Sequence, residues 1–226
     1  AAGQRCMALP VIVAVGGIAE KLVPAIKARA EKIVVGPGTD PACEMGPVIT
    51  RSSQQRITKW IDEAEANGAS VVLDGRGYKP EGEEYADGFG RGPTILDKLD
   101  RKLDIYCEEV FGPVLVVVHA DTYEEAIEIV NSSPYGNGSA IFTSDGDTAR
   151  HFVVEVEAGM VGVNVPIPVP VAYYSFGGWK ESLLGDTHIH GPEGVRFYTK
   201  AKVVTTRWPK RGEKVGYVGM NFPTNG

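Results

Sequence analysis

Cysteine is scarce: three residues of 226, Cys6, Cys43 and Cys107. An odd number at such wide spacing makes neither a disulfide framework nor a zinc ribbon, and it points to a reducing compartment, bacterial cytoplasm or mitochondrial matrix alike. No apolar run approaches the ~20 residues of a membrane-spanning helix, so no membrane partner is expected. Basic residues are outnumbered, 23 Lys and Arg against 29 Asp and Glu, and a net charge of −6 offers no footprint for nucleic acid. Histidine is rare too. His188 and His190 stand one residue apart, but no third ligand follows at zincin spacing, so no metal is expected. No Gly-x-Gly-x-x-Gly follows a strand. Gly36-Pro37-Gly38 lacks the Lys-Ser/Thr of a phosphate loop, and no Gly-x-Ser-x-Gly elbow occurs. Nothing repeats at a fixed period. An initiator methionine is also missing, and the chain opens a few residues before a buried-looking strand, as expected of a portion of something longer.

What is present is ordinary globular material, 43% hydrophobic and 23% charged, with enough length for one large domain or two small ones. Glycine is abundant at 28 residues, so many backbone positions need open dihedrals or close approach. Met7 to Val15 is a continuous apolar run, the pattern of a strand covered on both faces. Helical periodicity follows from Ile18 to Lys32, with Pro24 either in a first turn or kinking the helix. A second helix is predicted over 52–67, with Ile57, Trp60, Ile61 and Ala64 as its apolar face and Asn67-Gly68 as its stop. Strands are predicted at 70–73, 94–96, 114–118, 140–143 and 161–165. Helices are predicted after Thr122, which stands in capping-box spacing with Glu125, and over 147–157. Residues 74–92 read as an exposed excursion, and 98–109 has no clear assignment. This alternation is the α/β pattern: a mostly parallel sheet with helices on both faces. Past Val165 it ends in Pro166, Pro168 and Pro170, a glycine-rich segment, and a β-prone stretch at 203–206 suited to an edge or a partner subunit.

Four stretches carry chemical interest. Gly3-Gln4-Arg5-Cys6-Met7-Ala8 sets a lone thiol after a glycine turn. Cys6 there is either a nucleophile flanked by backbone N–H donors or a small buried apolar residue. Glu108-Glu109-Val110-Phe111-Gly112-Pro113 sets two carboxylates and an aromatic ahead of a strand. They can accept bonds from ribose hydroxyls and pack on a flat ring, or they are a solvated acidic pair beside a core phenylalanine. Asn164 closes a strand, where it positions a ligand or backbone or simply forms a turn. Ser175 to Ser182 sets paired glycines between aromatics, either a close-packed active-site loop or a surface turn.

Taken together, Gly-Gln-Arg-Cys at 3–6, Glu-Glu-Val-Phe-Gly-Pro at 108–113, Pro-Tyr-Gly-Asn-Gly at 134–138, Gly-Val-Asn at 162–164 and Phe-Gly-Gly-x-Lys at 176–180 resemble the aldehyde dehydrogenase superfamily, in its order and at about its spacings. Within it, Gly-Gln-Arg-Cys-Met-Ala, Val-Asn-Val-Pro-Ile-Pro-Val-Pro at 163–170 and Gly-Asp-Thr-His-Ile-His-Gly at 185–191 resemble the CoA-acylating methylmalonate-semialdehyde dehydrogenases. The resemblance implies a thioester route on Cys6, with NAD as cofactor and coenzyme A as co-substrate. It implies Glu109 at the nicotinamide ribose, Phe111 beside the nicotinamide, and the Cys6 backbone N–H as half of an oxyanion hole. It also implies a catalytic domain over 1–196, an oligomerisation strand and tail over 197–226 joining a homo-oligomer, and a coenzyme-binding domain that this chain does not contain. Family members are more than twice as long, so this chain is expected to be nearly inactive by itself. Two other readings remain open at this point: a truncated interaction module that pairs through its tail, and a thiol esterase or acyl-CoA-binding protein that keeps only acyl transfer at Cys6.

Overall fold

The computed structural model describes residues 1–79, 82 and 85–212. At its centre β4 (Val114–Ala120) runs parallel to β1 (Val11–Val15) on one side and to β3 (Thr94–Asp97) on the other, and β2 (Ser70–Leu73) closes the sheet antiparallel to β3. Val116 of β4 is the register partner of both Val11 and Leu96. Because side chains alternate along a strand, β4 feeds two cores. Leu115 and Val117 join Ala14, Ile95 and the apolar face of α1 (Ala19–Ala30). Val114 meets Ile57, Ile61 and Ala64 of α2 (Arg51–Ala66), while Val116, Val118 and Ala120 meet Ala126 and Ile129 of α4 (Tyr123–Asn131). The expected sheet with helices on both faces is present, with its edge strand antiparallel.

The helix boundaries follow from their caps. Thr50 Oγ1 accepts from Ser53 N–H at 3.1 Å to start α2, and Gly68, at φ +92°, ends it in the left-handed conformation that glycine adopts most readily. Thr122 Oγ1 accepts from Glu125 N–H, while the Glu125 carboxylate reaches back to Asp121 N–H. Pro24 sits inside α1, which runs on through it. The unassigned segment 98–109 contains one short helix, α3 (Asp104–Cys107).

The alternation does not extend into one continuous sheet. β6 (Gly138–Ile141) and β7 (Met160–Val163) form a separate parallel pair covered by α5 (Gly146–Glu155), and β5 (Tyr135–Gly136) pairs antiparallel with β8 (Trp179–Lys180). α4 is shared: Ala126 and Ile129 face the central sheet, Ile127 and Val130 the smaller unit. The first predicted strand is shorter than the apolar run, because Arg5 to Ala8 close a turn and Pro10 has no N–H to donate. The stretch expected to hold a tail strand pairs with no strand among the described residues. Phe197 and Tyr198 end α6 (Pro192–Tyr198), and 199–210 is irregular, with Val203 92% and Trp208 88% exposed. A β-prone segment becomes a strand only against another, and among the described residues none lies beside it. Residues 213–226 of the expected tail lie outside the described residues.

Candidate active site

Cys6 lies on a turn closed by the Ala8 N–H on the Arg5 carbonyl at 3.0 Å, and its thiol is exposed. The turn stands before the amino end of β1. The segment from Glu109 to Gly112 stands before the amino end of β4, the parallel neighbour of β1. The site therefore gathers at the amino ends of the parallel strands, opposite to the carboxyl-end rule for open α/β sheets.

Two contacts hold the loops together. A β-carbon built on Gly3 would fall 1.9 Å from the Gly112 carbonyl oxygen, so the two backbones touch where only glycine fits. Gln4 then bridges: its Nε2 donates to the Phe111 carbonyl at 3.2 Å, and its Oε1 accepts from Ile49 N–H at 2.8 Å. Phe111 has φ +48°, a conformation unusual for a phenylalanine, and it turns the carbonyl toward Gln4. Val110 is buried and anchors the loop, while Glu109 and the Phe111 ring remain exposed. Among the described residues no hydrogen bond engages the Glu109 carboxylate. Gly3, Arg5, Glu109 and Phe111 rim a shallow depression of about 40 Å3. A wider cleft of about 550 Å3 lies between α4 and α5 and shares no residue with these loops; its Tyr123, Asp147, His151 and Glu155 pair with one another.

A third segment reaches the cysteine. Asn137, between β5 and β6, donates from Nδ2 to the Cys6 carbonyl at 2.8 Å and to Met7 Sδ at 3.2 Å. Tyr135 beside it has its phenol pushed above its ordinary pKa by removal from water, then by the charges of Glu108, Glu181 and Glu109. The acidic pair and the 134–138 corner are therefore neighbours. Sequence reasoning did not single out Gln4 or Asn137. Each is an amide beside glycines, a pattern that reads as a turn, and only their tertiary partners distinguish them.

Asn164 positions backbone. At φ +56°, its Oδ1 accepts from Thr143 N–H and its Nδ2 donates to Thr143 O, both at 3.0 Å. The 175–182 stretch is close-packed: Gly177 lies under the His188 ring, and Gly178 lies against Asn137. His188 and His190 are not brought together on an ion. His188 bonds Ser175 through Nδ1, and the His190 ring lies tilted against Phe176. Among the described residues no three His, Cys, Asp or Glu side chains could hold a metal, nor is any helix long and apolar enough to cross a membrane.

The chain is similar to known proteins in sequence and fold. The chain is 51% identical to malonate-semialdehyde dehydrogenase of Pseudomonas aeruginosa over 92% of its own length and 42% of that protein's. It is 46% identical to the bovine methylmalonate-semialdehyde/malonate-semialdehyde dehydrogenase [acylating], mitochondrial, over its whole length and again 42% of that enzyme. Among solved structures, the methylmalonate-semialdehyde dehydrogenase of Oceanimonas doudoroffii superposes with a TM-score of 0.88 at 49% identity. A Sinorhizobium meliloti 1021 chain crystallised with NAD superposes with 0.89 at 48%; both alignments cover 92% of this chain and 42% of the other. The chain thus spans less than half the length of the relatives it matches. The aldehyde dehydrogenase family model matches residues 1–204, a range that takes in the cysteine turn, the Glu109–Phe111 loop and the Asn137 corner, and the chain belongs to the aldehyde dehydrogenase family.

Proposed function

We infer that this chain is the cysteine-bearing portion of an NAD-dependent, CoA-acylating dehydrogenase of methylmalonate or malonate semialdehyde. The observation that carries the reading is the Gly3–Gly112 contact, which holds the turn bearing the exposed Cys6 against the loop bearing Glu109 and Phe111.

The exposed Cys6 thiol gives its proton to solvent, the thiolate sulfur attacks the aldehyde carbon, a C–S bond forms, and the carbonyl oxygen becomes an oxyanion. The Cys6 N–H makes no bond among the described residues and is available to donate to that oxygen, one half of an oxyanion hole. Bound NAD would supply the hydride acceptor: as the oxyanion re-forms the carbonyl the hydride would leave the same carbon, and the acyl group would remain on Cys6 as a thioester. The thiol of coenzyme A then takes the acyl group and releases the cysteine, giving propionyl-CoA from methylmalonate semialdehyde with loss of carbon dioxide, or acetyl-CoA from the malonate compound. The residues present fit the cofactor. An exposed, unengaged carboxylate at Glu109 suits ribose hydroxyls, and an exposed ring at Phe111 suits the nicotinamide face. We assign residues 1–196 to the catalytic domain and 197–226 to subunit pairing in a homo-oligomer, in bacterial cytoplasm or mitochondrial matrix.

The relatives carry a further stretch longer than this chain, and the coenzyme-binding domain and second oxyanion donor are expected there. The test is NADH formation from the semialdehyde, NAD and coenzyme A, by this chain alone and with the amino-terminal half supplied, each beside Cys6→Ala. Activity only with both halves, and lost in Cys6→Ala, supports the reading. CoA-dependent NADH from this chain alone shows that the site assembles without the other half. No NADH in either case moves the chain to a second reading, an interaction module, which the exposed apolar side chains of Val203 and Trp208 favour.

A further inference from the structure

We propose that Asn137 is the positioning residue of the nucleophile: its side-chain amide fixes the Cys6–Met7 peptide and so the direction of the Cys6 thiol. The role rests on the reading of Cys6 as the attacking group.

A cysteine on a turn is oriented by the two peptide planes that flank its Cα. The plane before Cys6 carries the Arg5 carbonyl, which accepts from Ala8 N–H at 3.0 Å. In a trans peptide that carbonyl and the Cys6 N–H point opposite ways, so pinning one aims the other outward and leaves it free. The plane after Cys6 carries the Cys6 carbonyl. Its one bond among the described residues comes from Asn137 Nδ2, at 2.8 Å. With both planes held, φ and ψ of Cys6 are set, and χ1 is the remaining freedom of the thiol. Without Asn137 the second plane is free, and the Arg5–Ala8 bond, whose turn contains that plane, loosens with it.

Asn137 is itself held firmly enough to act this way. Its backbone carbonyl accepts from Met160 N–H at 3.1 Å, and the Gly136 carbonyl before it accepts from Gly159 N–H at 2.9 Å. A β-carbon on Gly178 would lie 2.8 Å from the Asn137 Cα, so the 176–180 loop presses on this residue from behind. The same amide donates to Met7 Sδ at 3.2 Å, and Met7 Cε packs where a β-carbon on Gly138 would be, at 2.7 Å. Two glycines therefore bracket a side chain whose bonds cross 131 positions of sequence to reach the cysteine. The amide is required as a donor: a carboxylate would set an acceptor against the Cys6 carbonyl, and a methyl group would donate nothing.

The experiment uses two substitutions of nearly equal shape, Asn137→Leu and Asn137→Asp, in the chain supplied with the amino-terminal half. Turnover, the KM for NAD and hydrogen exchange at Ala8 N–H are measured, with a thermal melt as control. Loss of near-attack geometry predicts that kcat falls by roughly ten- to a hundredfold with the KM for NAD within about twofold. Ala8 exchange should quicken in both variants while exchange in β4 is unchanged. A variant that merely loosened the fold would raise exchange in β4 as well. If both variants keep wild-type kcat and Ala8 protection, the proposal is overturned. If wild type gives no NADH, the functional reading fails separately, and Asn137 is then judged on Ala8 exchange and on alkylation of Cys6 relative to Cys107; no change in either overturns it. Should Asn137→Leu melt early, Asn137→Asp, which keeps a polar side chain of the same size, carries the same readouts.

Discussion

Gly3 and Gly112 meet backbone to backbone: a β-carbon on Gly3 would sit 1.9 Å from the Gly112 carbonyl oxygen, and Gly3 already holds φ +69°. The cysteine turn and the Glu109–Phe111 loop therefore share one wall. Gly3→Ala must either push the loops apart or break the left-handed backbone. Overpacking against backbone and the dihedral penalty together are expected to cost about 2–4 kcal/mol of stability. A denaturant titration checks this, and a variant of wild-type stability would mean the two loops are not in contact.

Glu109→Gln probes the cofactor assignment. The carboxylate is exposed and holds no structural bond, so stability should not change. If it accepts from ribose hydroxyls, losing charge-assisted bonds should weaken NAD by roughly ten- to a hundredfold. Fluorescence titration of NAD into the two-half enzyme measures this. Unchanged affinity together with unchanged KM would remove Glu109 from the cofactor site.

Lys180 ties three elements at the back of the site. At φ +52° and 24% side-chain exposure, its Nζ donates to Asn131 O at 2.6 Å and Ser133 O at 3.1 Å, and pairs with Glu157 at 2.6 Å. It thus caps the carbonyl end of α4 with positive charge while fixing β8 to β5. Lys180→Met keeps the stem and loses every partner, for an expected loss of about 2–4 kcal/mol. Because β8 follows Gly178, which presses on Asn137, the variant should also loosen the Cys6 turn. Faster Ala8 exchange would show it; a stable variant with intact Ala8 protection would confine Lys180 to the surface.

Much of this was legible in sequence. Asn67-Gly68 ends α2 as read because capping chemistry is local, and Val114 to Val118 declares a strand by its β-branched run. The full apolar face of α4 was not legible, because the helix is buried on two sides, with Ala126 and Ile129 against one core and Ile127 and Val130 against another. The break into three sheets was not legible either: strand pairing is set by contacts between distant segments, and Val161 reads the same whichever sheet receives it. The 203–206 stretch shows the limit most plainly, since β-propensity describes fit to a neighbouring strand that the sequence does not identify. Cys6, Glu109 and Phe111 stood out because their residue types are chemically conspicuous. Gln4 and Asn137 did not, because an amide acquires its role only from what it touches.

Arg76 and Asp74 give the clearest pH dependence. Arg76 donates to both oxygens of Asp74, with the shortest bond at 2.7 Å, and also reaches Asp62 and Glu65 on α2, each at 2.6 Å. The Asp74 carboxyl is held below its ordinary range, first by the Arg76 side-chain bond, against a smaller opposing effect of burial. A depressed folded-state pKa means that this stabilisation is complete above the unfolded carboxyl's value of about 3.9 and disappears as pH falls through the lower folded value. Asp74 is nearly half exposed, so the effect is screened and modest, and it should shrink further in 1 M salt. Arg76→Gln removes the shift, so between about pH 5 and pH 2 its stability should fall less steeply than that of wild type. The measurement is the urea midpoint against pH for both proteins at low and high salt. Parallel acid limbs at low salt would show that the cluster joins the 74–76 turn to α2 without contributing to acid sensitivity.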